Sequence, residues 1–137
     1  MSLHILRSTK SEEVGNSKWM TTSATLSRDG TLIIDVYTNN QNPFKGLRGR
    51  VLVIAYDSEG NALGMSKVLR CKTRGGGLDF FTSSAGRETF VEKLDAQAGQ
   101  RAVALDIWQE DAESPGGQIQ KAINLVRITT AVISAVH

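Results

Sequence analysis

Residues 51–62, Val-Leu-Val-Ile-Ala-Tyr-Asp-Ser-Glu-Gly-Asn-Ala, decide the fold. The first six are apolar without a break, too short for a helix and rich in β-branched side chains. Such a run predicts a central strand covered on both faces. Asp57-Ser58-Glu59-Gly60-Asn61 then turns the chain, and 62–70 returns as a more polar edge strand. Working outward, 18–26 and 31–38 alternate residue by residue, and Arg28-Asp29-Gly30 between them predicts a tight two-residue hairpin turn. Alternation recurs over 88–94 and 101–109, with a shorter strand expected over 78–82 after the Gly75-Gly76-Gly77 loop. Regularly spaced strands with turn signals, and no long helix within 18–110, predict an all-β antiparallel sandwich. Its expected core is Leu32, Ile34, Val36, Leu52, Ile54, Phe90, Val103, Leu105 and Ile107.

The chain has 137 residues, the size of one domain, with 40% apolar and 22% charged side chains. This balance excludes a wholly disordered or collagenous chain, and one cysteine, Cys71, excludes an internal disulfide scaffold. Arg70, Lys72 and Arg74 around Cys71 would favour its thiolate if it were exposed; as a strand residue it is simply small. No apolar run is long enough for a membrane span. The first residues lack a signal-peptide pattern, so a cytoplasmic setting is the default expectation, with signal-independent secretion as the other route.

Three segments are expected: a polar arm with a loop over 1–17, the sandwich over 18–113, and a hinge with a C-terminal segment over 114–137. Residues 118–137 lack Gly and Pro. Ile119, Ala122, Leu125, Val126, Thr129, Ile133 and Val136 share one broad face at helical spacing. An amphipathic helix is the first expectation, and a final strand the alternative, because so many of these residues are β-branched. That face either packs on its own sandwich or buries against other copies.

The runs Thr31-Leu32-Ile33-Ile34-Asp35-Val36-Tyr37-Thr38-Asn39-Asn40 and 49–64, with Tyr56-Asp57-Ser58-Glu59-Gly60 and Leu63, resemble bacterial immunoglobulin-like sandwich domains of the FxLYD type. The segment from Trp19 to Leu32 is similar to small bacterial proteins of like layout. The resemblance spans about residues 18–110 and implies a fold, with no shared catalytic residues to carry over.

Catalytic equipment is sparse. The two histidines, His4 and His137, stand at the ends, which leaves no histidine for a central base or metal cluster. Asp35, Asp57, Glu59, Asp79 and Asp106 read as turn and strand-end charges. The 57–61 loop lacks the closing glutamate of a calcium loop, and the glycine triad lacks the Gly-Lys-Ser/Thr of a phosphate loop. Neither a cofactor nor a metal is expected. Trp19 and Trp108 are expected in the core.

Charge is more telling by position than in total. Lys45, Arg48, Arg50, Lys67, Arg70, Lys72 and Arg74 against Asp57 and Glu59 give residues 43–77 a net of +5, whereas 78–114 carry −5. On different edges of a sandwich these segments would favour head-to-tail contact or docking on an acidic partner. Nucleic acid is disfavoured, because no aromatic side chains interleave the cations. The function expected is therefore a non-enzymatic protein-interaction or self-assembly module, a homo-oligomer through the C-terminal segment. A membrane-active protein using that segment is the alternative, and a carbohydrate-binding module the third.

Overall fold

The structure, a computed structural model, describes residues 5–41, 46–73, 84–112 and 117–126. The alternation that the sequence announces becomes a hairpin of β2 (Lys18–Leu26) and β3 (Thr31–Asn40), in register from Leu26 opposite Leu32 to Lys18 opposite Asn40. Its turn is a three-residue loop rather than the expected two-residue one. Ser27 N donates to Thr31 O at 2.9 Å, and Gly30 alone in the loop takes a positive φ, +92°. That combination is a turn closed by a left-handed glycine, which twists the strands correctly without needing Asp29 in a strained conformation. The 57–61 turn repeats the device, with Asp57 N donating to Asn61 O and Gly60 at φ +83°.

β7 (Ser84–Lys93) pairs with β3 and β1 (Leu6–Gly15) pairs with β2, giving a first sheet in the order β1-β2-β3-β7. β1 corrects the expected 1–17 arm. Only Leu6 and Val14 on its inner side are apolar core contacts; Ser8, Lys10 and Glu12 fill the positions between them. An edge strand needs less apolar surface, so its sequence reads as loop.

β4 (Leu47–Tyr56) centres the second sheet. β8 (Ala104–Asp111) flanks it on one side, and β5 (Ala62–Met65) and β6 (Leu69–Thr73) lie end to end on the other. The expected single edge strand over 62–70 is thus interrupted. At the break Ser66 Oγ accepts from Val53 N at 3.0 Å, replacing a backbone partner. A six-residue helix, α1 (Ala96–Arg101), capped by Asp95, joins β7 to β8 and has no counterpart in the periodicity.

The sheets face each other across Met20, Ala24, Leu26, Leu32, Ile34, Val36, Leu47, Val51, Val53, Leu105 and Ile107. The continuous run in β4 behaves as read: Val51, Val53 and Ala55 enter this core, and Leu52 and Ile54 point the opposite way into a second cluster. Of the expected core, Phe90 is half-buried against the sheets. Val103 is a correction, being 53% exposed in the residue before β8 begins.

Carboxylates accept hydrogen bonds within the 57–61 turn and across β3 and β7, and this predicts an acid limb. The backbone N–H of Asn61, then that of Glu59, hold the Asp57 carboxyl below its usual range, and the Arg87 guanidinium does so for Asp35. Groups whose folded values are depressed stabilise above the unfolded carboxylate value and lose that contribution as pH falls through the folded value. The denaturant midpoint should therefore hold from about pH 7 to 5 and fall between about pH 4 and 2. Asp57→Ala should lower the midpoint near neutrality and shallow the acid limb; a midpoint that rises on acidification would contradict this.

Candidate functional site

The two segments singled out by sequence meet on one surface, the outer face of the second sheet. Side chains alternate along β4, so Arg48, Arg50, Leu52, Ile54 and Tyr56 all point to that face. The face is divided. Toward Tyr56 it is apolar and covered: residues 118–126 are helical and lay Ile119 and Ala122, both buried, on Leu52 and Ile54, with Trp108, Ile123 and Val126 alongside. Helix rather than strand is thus found for these nine residues. Within the described residues the expected apolar face is partly consumed by the protein's own sheet, although Leu125 projects outward at 62% exposure. Thr129, Ile133 and Val136 lie outside the described residues.

Toward Leu47 the face is basic, with Arg48, Arg70 and Lys72 exposed. Register places Arg48 directly opposite Lys72 and Arg50 directly opposite Arg70. With Gly49, Cys71 and Ala112 these four cations line a groove of about 380 Å³. Glu110 borders it from β8, at 3.3 Å from Arg50 Nη2, and its other oxygen accepts from Gln118 N at 2.9 Å, tying the groove's edge to the start of the C-terminal helix. Arg50 Nε is buried and lacks a hydrogen-bond partner among the described residues. The structure thus gathers four of the seven expected cations. Lys67 sits at the β5–β6 break outside the groove lining, and Lys45 and Arg74 lie outside the described residues.

In the acidic segment four carboxylates have partners within the chain. Glu92 accepts from Lys67 N, Asp106 from Trp108 Nε1, Glu110 pairs with Arg50, and Asp111 is buried on Lys18. Glu110 and Asp111 are thus paired with cations, and Glu92 and Asp106 are hydrogen-bonded to neutral donors.

The other broad surface is the outer face of the first sheet. Trp19, expected in the core, is 42% exposed here, on the outward positions of β2. Tyr37, Ile33 and Val91 share this face, with Ile33 directly opposite Val91. Hydroxyls fill much of the remainder: Ser11 bonds Thr21 at 2.8 Å, Thr9 bonds Ser23 at 3.2 Å, and Thr89 joins the Asp35–Arg87 pair.

A third cluster escaped the sequence reading altogether. Lys18 Nζ meets Asp111 Oδ2 at 2.8 Å with both side chains buried. Beside them Gln109 accepts from Thr22 Oγ1 at 2.7 Å and donates to the carbonyls of Lys10 and Met20. Inward parity was the available signal: Gln109 and Asp111 continue the Leu105–Ile107 side of β8, and Lys18 and Thr22 that of Met20. These groups are mutually satisfied and tie β8 to the first sheet.

Burial pushes the Cys71 thiol up to about 11, with the Glu88 charge adding to the effect, so the flanking cations do not yield a thiolate. Among the described residues no three metal-ligating side chains gather, and no helix is long and apolar enough to cross a membrane. Both histidines lie outside the described residues. No family model matches the chain, and no curated protein or solved structure does either.

Proposed function

We propose that the chain is a non-enzymatic interaction module that self-associates, and that the outer face of its first sheet is the surface it uses. One observation carries the reading: four of the seven large apolar side chains exposed among the described residues, Trp19, Ile33, Tyr37 and Val91, share that face. They stand as two pairs, Ile33 opposite Val91 and Trp19 diagonal to Tyr37, on either side of the Asp35–Arg87 ion pair, and each pair gains by burial against a second copy. The burial of Ile119 and Ala122 on their own sheet supports this face over the C-terminal helix. The immunoglobulin-like resemblance is consistent with a binding role, and a buried, neutral Cys71 thiol supports the non-enzymatic part.

The test is mass in solution. The wild type should be a dimer or larger, with concentration-dependent mass. Ile33→Glu with Val91→Lys, which sets opposite charges across the strands, should give a folded monomer. A monomeric wild type refutes the reading. An assembled variant shifts the interface to residues beyond 126. A second reading has its own support, because Trp19 and Tyr37 stand half-exposed among hydroxyls, as rings that stack on sugars do. Trp19→Ala should then abolish retention on an insoluble polysaccharide while leaving the mass unchanged; retention by neither protein excludes it.

A further inference from the structure

The groove on the opposite face carries an inference of its own. We propose that it binds a small, multiply charged oxyanion of the polyphosphate class, held by Arg50, Arg70 and Lys72 with Arg48 at its rim. Like charges directly opposite on neighbouring strands repel, and two such pairs stand side by side here, Arg48 with Lys72 and Arg50 with Arg70. One carboxylate, Glu110, is salt-bridged to this patch among the described residues, and it is shared with Gln118 N. Arg70 and Lys72 are exposed and form no ion pair among the described residues.

The second observation is Arg50, a lining residue whose guanidinium is one-third exposed and meets Glu110 through Nη2, while its Nε is a buried donor without an acceptor among the described residues. Such a group is costly until an acceptor arrives. Guanidinium forks match the oxygens of a phosphoryl group two at a time, and Arg50, Arg70 and Lys72 offer more donors than the one carboxylate of Glu110 could use. A linked pair or trio of phosphates supplies both the oxygens and the charge. The groove, at about 380 Å³, has the capacity of a small-molecule site. Its described lining is without aromatic side chains, so it lacks the stacking platform that single-stranded nucleic acid uses. Self-association through the first sheet would leave it open.

The full chain titrated calorimetrically with inorganic tripolyphosphate at low salt should saturate at one site per chain, with affinity falling as salt rises. Arg70→Glu with Lys72→Glu should weaken binding by at least about tenfold. The same variant should melt no lower than the wild type, because it replaces like-charge pairs by opposite ones. Arg7→Glu with Lys93→Glu, an equal charge change on the other sheet, should keep affinity within about twofold at moderate salt. Arg50→Lys, which keeps the charge and removes the fork, should weaken binding several-fold.

Absence of wild-type binding at about 1 mM ligand overturns the proposal, as does equal loss in both double variants. A glutamate-rich peptide or a single-stranded oligonucleotide that displaces tripolyphosphate at matched charge also overturns it, in favour of an acidic protein or nucleic acid.

Discussion

Replacing Asp111 by alanine is expected to destabilise the fold by about 3–5 kcal/mol, the usual cost of stranding one member of a buried ion pair. Lys18 Nζ and Asp111 Oδ2 are 2.8 Å apart, and both side chains are almost wholly shielded from water. Without the carboxylate, the ammonium is left inside the sandwich with its solvation lost. Arg48 N also loses an acceptor, because Asp111 Oδ1 lies 3.3 Å from it. Removing both charges should cost less than removing one: Lys18→Met with Asp111→Leu should recover much of the loss. Denaturant unfolding of the three variants measures this cycle. A loss below about 1 kcal/mol for Asp111→Ala would mean that water reaches the pair.

Ile54→Ala should cost about 2–5 kcal/mol, as deletion of a fully buried aliphatic side chain does. The position tests whether the C-terminal helix finishes this domain. Ile54 belongs to the cluster that Ile119 and Ala122 complete, on the side of β4 away from the main core. Ending the chain at residue 116 should therefore destabilise it by a comparable amount, and Ile54→Ala should cost distinctly less in that shortened chain than in the full one. Val103→Ala is the control; with half its surface in water it should change stability by less than about 0.5 kcal/mol. Additive effects of truncation and Ile54→Ala would separate the helix from the sheet. The C-terminal segment would then be free for assembly, as the sequence also allows.

The sequence by itself determines the all-β class, the two-sided burial of β4 and the main hairpins. Period-two alternation and the Asp-Gly and Glu-Gly turns are local signals that act over a few residues. It also determines that seven of the sixteen cations lie within residues 43–77. Only the tertiary structure decides which of them meet: Arg50 and Arg70 become neighbours through the register of β4 with β6, across twenty residues of chain. Likewise, Lys18 and Asp111 look like surface charges until the first sheet and β8 bring them face to face. The strand β1 was illegible for a related reason, since an edge strand needs few apolar residues and borrows its order from β2. Trp19 shows the converse: alternation places it on one of two faces, but only the packing of the sheets decides which face is water. Pairing across a sandwich is a long-range choice, fixed by the burial of many side chains at once, and local sequence carries little of it.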